Sequence, residues 1–117
     1  MSRKFVIFAF NGNPMCYVHA LLNALDYADK GCEVKLVLEG EATKMIERFE
    51  DPEQPFAGLY RKVVERGLLD CVCRACSHQM GVLKLAEERG LPLCDDMSGH
   101  PSMERYTQQG FEVVIFG

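Results

Sequence analysis

The chain has no apolar run long enough to cross a bilayer. Its first run, Phe5 to Phe10, stops at Asn11, Gly12, Asn13 and Pro14, far short of the ~20 residues that a spanning helix needs. Arg3 and Lys4 precede it, as positive charges precede a secretory leader. The run is too short for a leader core, and no small-residue cleavage pattern follows it. A buried first strand is the expected reading. Positive charge is not in excess either: 13 Lys and Arg face 17 Asp and Glu, for a formal net charge of −4. That argues against a broad electrostatic grip on nucleic acid, which needs clustered cations. No Walker phosphate loop occurs, and no G-x-G-x-x-G follows the first strand. Internal repeats, low-complexity tracts and interdomain linkers are also lacking. A chain of 117 residues can bury most of its apolar surface without disulfides. The expectation is one domain over 1–117 with no nucleic-acid or membrane partner. It is expected in the cytoplasm, with reduced thiols.

What is present is an alternation of two patterns. Phe5–Phe10 is a continuous apolar run, as in a strand covered on both faces. Pro14 opens a helical stretch to about Lys30, where Met15, Val18, Leu22 and Leu25 form one stripe and Gly31 follows as a C-cap. Val34, Leu36 and Leu38 mark a second strand. A short helix spans Glu41 to Phe49, and another carries Phe56, Leu59, Tyr60, Val63 and Val64 up to Gly67. Leu68–Cys73 is a third strand, and Ser77–Arg89 reads as one helix. Leu91–Cys94 is a short fourth strand with Pro92 near its start. Met103 and Tyr106 mark a last helix, and Phe111–Phe116 a last strand. Strands alternating with helices predict an α/β domain with a mainly parallel sheet. In such sheets ligands sit beyond the carboxyl ends of the strands.

Six cysteines are many for such a chain, and three lie within Cys71–Cys76. Cys16, Cys71, Cys73, Cys76 and Cys94 fall on the expected active side of the sheet, whereas Cys32 lies at the opposite end and reads as structural. Cys71 reads as core and Cys73 as the edge of the turn. Cys76 is expected to open the next helix, where unpaired N–H groups and the helix dipole favour a thiolate. Arg74 and His78 would add positive charge. Cys76 is therefore the expected nucleophile, with Cys73 as a resolving neighbour. Cys73 and Cys76 also form the C-x-x-C half of a zinc site. The second half is open among Cys94, His78, His100, Cys16 and His19, and the set Cys73, Cys76, Cys94 and His100 is the metal-binding alternative. A thioredoxin-like dithiol would need a different order of elements. Asp95 and Asp96 begin the loop that carries His100 and read as solvated loop or cap residues.

The first strand running into a helix, the segment "LLDCVCRAC" followed by "SHQMG", and the closing "GFEVVIFG" resemble the DsrE/DsrF-like sulfur-relay family, which includes the TusD-type and YchN-like proteins. The similarity covers nearly the whole chain and is sharpest over Ala75–Gly81. It implies a three-layer α/β/α sandwich with a five-stranded parallel sheet. It also implies a homo-oligomer such as a trimer or hexamer. By the same resemblance Cys76 would carry sulfur as a persulfide between donor and acceptor proteins or small thiols, without a cofactor. The extra Cys71, Cys73 and Cys94 depart from a one-thiol carrier and keep the zinc alternative alive.

Overall fold

The computed structural model describes residues 3–117. Five apolar segments pair in one all-parallel sheet: β1 (Lys4–Ala9), β2 (Glu33–Leu38), β3 (Leu69–Cys73), β4 (Leu93–Cys94) and β5 (Glu112–Phe116), in the order β4-β3-β2-β1-β5. The helices are α1 (Pro14–Asp29), α2 (Met45–Phe49), α3 (Ala57–Glu65), α4 (Arg74–Gln79), α5 (Leu83–Glu88) and α6 (Met103–Thr107). Side chains alternate across each strand, so the central strands feed two cores. Phe5, Ile7 and Ala9 of β1, with Val34, Leu36 and Leu38 of β2, pack under residues of α1, α2, α3 and α5. Val6, Phe8, Val37 and Cys71 face the other way, onto Tyr106 of α6 and Phe111. This is the expected three-layer α/β/α sandwich. Among the described residues no helix is long and apolar enough to cross a membrane.

Several local expectations change. The segment read as one helix, Glu41–Phe49, is a 3-10 turn over Gly40–Lys44 followed by α2. The stretch read as one helix, Ser77–Arg89, is two. Gly81 has φ +76, and Val82 N–H returns to the Ser77 carbonyl at 2.9 Å while Gly81 N–H reaches that of His78. That is a helix end closed by a left-handed glycine, a conformation that residues with a Cβ adopt at a cost. α4 also starts at Arg74, three residues earlier than expected. In α1 the buried stripe is rotated. Tyr17, Val18, Leu21, Ala24 and Leu25 are buried, whereas Met15 and Leu22 are 59% and 44% exposed. Ala20 and Ala24, fully buried, let the helix lie close to the sheet, and a count of large apolar residues passes over them.

The rotation has a measurable consequence. Leu21→Ala is expected to lower unfolding free energy by about 2–5 kcal/mol, the range for truncating a buried leucine. Leu22→Ala, one residue on, should cost under about 1 kcal/mol. Urea denaturation of both variants checks the orientation of α1, and equal losses would contradict it.

Candidate metal centre

β3 ends at Cys73, and Cys73 is the N-cap of α4. Its fully buried sulfur accepts the Cys76 N–H at 3.4 Å. The Ala75 N–H, next along the same turn, donates to the Gly99 carbonyl at 3.0 Å. Gly99 belongs to a tight reversal in which Met97 and His100 exchange both backbone hydrogen bonds, at 2.7 and 2.9 Å. Ser98 and Gly99 have φ of 50 and 90, the paired positive values of a type I′ turn. A Cβ on Gly99 would stand 3.0 Å from the Ala75 Cβ, so glycine is what lets this turn sit against α4.

The turn delivers His100 over the two thiols. Its Nδ1 lies 3.1 Å from Cys73 Sγ and 3.7 Å from Cys76 Sγ. From the neighbouring strand, Glu39 follows the last residue of β2 and is held by its N–H to the Ala9 carbonyl at 2.9 Å. Its buried carboxyl brings Oε1 to 3.8 Å from the same Nδ1. The donor atoms of Glu39, Cys73, Cys76 and His100 all lie within 4.8 Å of one another.

Burial sets the protonation of this group. The Cys73 thiol is pushed up to about 12, first by loss of solvent, with the Cys76 N–H pulling the other way. The Glu39 carboxyl is raised by burial, against an opposing pull from His100. Two acids held above their ordinary range, side by side, need positive charge before both can ionise.

Three expected residues meet here: Cys73, Cys76 and His100. The rest are elsewhere. Cys94 is bonded to Cys71, with Cα atoms 5.7 Å apart, so it drops out of the metal set, and these two thiols are not reduced as expected. β4 lies beside β3 in the sheet, which a linear reading cannot show. Cys76 is the third residue of α4 and does not open it; the sulfur that caps the helix is Cys73. Arg74 turns outward to Asp95 and Glu87, at 3.6 and 3.9 Å. His78 is exposed on the far turn of α4. Cys16 and His19 line a separate hollow with Met15, Phe116 and Gly117. Glu39 lies outside the cysteine motif and is not among the expected residues. Its signal was an acid directly after the apolar β2, at the end of the sheet where ligands bind.

No family model matches the chain. It is 30% identical over 118 residues to "Uncharacterized protein MJ0733" of Methanocaldococcus jannaschii, covering 97% of this chain and 94% of that protein. The chain belongs to the same family as that protein. Two shorter proteins of Archaeoglobus fulgidus, each named "Uncharacterized protein", match parts of it. One is 54% identical over 37 residues, 32% of this chain and all of the relative. The other is 44% identical over 43 residues, 37% of this chain and 70% of the relative.

Two outcomes follow from the geometry. In metal-free protein, maleimide should modify half-buried Cys76 before fully buried Cys73, read by peptide mass mapping; Cys73 reacting first would contradict the burial described here. A thiol with a raised native value keeps a proton that the unfolded chain has lost. Its stabilising share is complete below the ordinary thiol value, about 8.5, and shrinks as pH climbs towards about 12. Metal-free protein should therefore lose stability over that window. Cys73→Ser should lose less, judged by the difference between the two pH profiles, because the buried tyrosines contribute equally to both.

Proposed function

We propose that this protein is a metal-binding module whose Glu39, Cys73, Cys76 and His100 hold one zinc-like divalent ion. The observation that supports this most is convergence on a single nitrogen. Cys73, Cys76 and Glu39 stand 3.1, 3.7 and 3.8 Å from the same His100 Nδ1. Zinc takes sulfur at about 2.3 Å and nitrogen or oxygen at about 2.0–2.2 Å. A tetrahedron with such arms has edges of about 3.3–3.8 Å, close to these separations. A catalytic relay would instead place the thiol and the carboxylate on opposite ring nitrogens. Two thiols, an imidazole and a carboxylate are a donor set suited to zinc. The ion would supply the charge that ionises Cys73 and Glu39. Four protein ligands leave no open position, which favours a structural or interaction role over hydrolysis.

Zinc titration of chelator-treated, reduced protein against a competing indicator tests this. One ion per chain is expected. Cys73→Ser, His100→Ala and Glu39→Gln should each weaken binding by more than the 10–100-fold typical of losing an outer supporting partner. Cys94→Ser should leave the affinity within a few-fold. Wild type that binds no better than protein carrying all three substitutions would sink the proposal.

The sulfur-relay reading remains the second proposal. It is favoured by the half-exposed Cys76 sulfur beside a buried partner thiol, and by the resemblance to DsrE/DsrF-like proteins. Cys76 thiolate would take the outer sulfur of a donor persulfide, protein or small thiol, and pass it to an acceptor thiolate. Intact mass after incubation with a persulfide donor tests it; a Cys76→Ser variant that still gains one sulfur would end it. Both readings need a reduced Cys73–Cys76 pair, which suits the cytoplasm, whereas the Cys71–Cys94 disulfide is a bond that compartment disfavours. Exposed Met15 and Leu22 on α1 and Ile115 on β5 support an oligomer.

A further inference from the structure

The Cys71–Cys94 disulfide takes no part in either reading of the site, yet it adjoins it. Cys94 is the direct register partner of Cys73, not of Cys71. Parallel neighbours of this kind stand about 4.8 Å apart, and disulfides form across Cα separations of about 4.4–6.8 Å. Cys71 lies two residues back along β3, so its side chain emerges on the same face as that of Cys73. It reaches Cys94 diagonally, at 5.7 Å between Cα atoms. Cys94 is thus within bonding range of two cysteines on one strand, and it bonds to the more distant in register.

The two sulfurs of the disulfide differ in surroundings. Cys71 Sγ lies 3.8 Å from Arg105 Nη2 and 3.5 Å from Tyr106 Oη. The Tyr106 O–H is already given to Asp70, so the Arg105 guanidinium is the available donor. Cys94 Sγ has a backbone carbonyl, that of Val72 at 3.7 Å, beside it. A cation next to one sulfur stabilises that sulfur as the leaving thiolate and directs attack to the other.

We propose that the chain is an intramolecular thiol–disulfide exchange centre in which Cys94 moves between Cys71 and Cys73. Cys73 passes its proton to His100 Nδ1 at 3.1 Å, whose ring is 40% exposed and relays it to solvent, and attacks Cys94 Sγ with its sulfur electron pair. The Cys73–Cys94 bond forms as the Cys71–Cys94 bond breaks. Cys71 leaves with the bonding pair as a thiolate beside Arg105 and is then protonated by water. One disulfide and one thiol stand on each side, so no oxidant or reductant is consumed. In the exchanged form Cys73 no longer has a free thiol to offer an ion. On the zinc reading, which this consequence alone rests on, exchange and metal binding oppose each other, each weakening the other by the same factor.

The test uses the full chain, stripped of metal and held without reductant overnight, then trapped with N-ethylmaleimide in acidic denaturant. Trypsin leaves Cys71 and Cys73 on one peptide, residues 67–74, and Cys94 on another, residues 90–105. Both disulfides join the same two peptides, so fragmentation at Val72 must locate the maleimide. Maleimide on Cys71 in a measurable fraction is expected. Arg105→Met should form that species about three- to tenfold more slowly, and Arg105→Lys should restore most of the rate. Maleimide on Cys73 alone in metal-free wild type overturns the exchange, and an unchanged rate in Arg105→Met overturns the leaving-group assignment. Saturating zinc should suppress the Cys71-labelled species. If that species forms but ignores zinc, the exchange stands and Cys73 fails as a metal ligand, so the two proposals fail separately.

Discussion

The site depends on one contact above all: the hydrogen bond from the Ala75 amide to the Gly99 carbonyl. It ties the loop after β4 to the first turn of α4, and through them the end of one strand to the end of its neighbour. Cys73 and Cys76 come from the β3 side of this clasp and His100 from the β4 side. Without it His100 would hang on an exposed loop, free to sample many rotamers. Two glycine-dependent features allow the contact. Gly99 accepts a positive φ and has no Cβ to meet Ala75. The type I′ turn then reverses the chain within four residues, so His100 points back over the sheet.

The clasp also explains why the thiols are unequal. An N-cap normally offers a hydroxyl or amide oxygen to the first free N–H groups of a helix. Here a sulfur does so. Cys73 gains a hydrogen bond that favours its anion, yet it is buried completely, and the desolvation cost outweighs that bond. Cys76, one turn on, gives up its N–H to Cys73 and keeps its sulfur partly open. The same six-residue helix thus holds a deep thiol and a shallow one. Glu39 adds a second buried acid from β2. In an aqueous cavity these groups would titrate independently; packed together, they share one shortage of positive charge.

The architecture could be read from the sequence because it rests on period. Continuous apolar strands and helices ended by Gly31, Gly67, Gly90 and Gly110, all with positive φ, leave signatures within a few residues. What could not be read is lateral. Strand order and register decide that Cys94 faces Cys73 and bonds to Cys71, and no spacing along the chain carries that information. The break at Gly81 leaves no mark in the pattern, because Met80, Leu83 and Ala86 keep a plausible helical spacing through it. Moving the start of α4 back to Arg74 changed the site more than any other difference. It makes Cys73, read as the edge of a turn, into a cap and turns Arg74 away from the thiols towards Asp95 and Glu87. Cys73, Cys76 and His100 were found because topology sends them to one end of the sheet; Glu39 obeyed the same rule but sat outside the cysteine motif.

The arrangement of cysteines on the α6 face separates two chemical demands. A metal ligand set needs thiols that ionise together and stay in place, whereas exchange chemistry needs a good leaving sulfur and a nearby attacker. Arg105 would serve the second demand at Cys71 and is not within the four-residue cluster. His100 would serve the first, since its Nδ1 meets both thiols. Cys73 is the one sulfur in reach of both environments, since β3 pairs it with Cys94 while α4 and the His100 turn enclose it. An ion that ionises Cys73 also engages its lone pairs, which makes it a better ligand and a poorer attacker at the same time. On the two proposals, the charge state of this single residue would set which chemistry the sheet end performs, and the burial that raises its proton affinity would leave the choice to a bound ion.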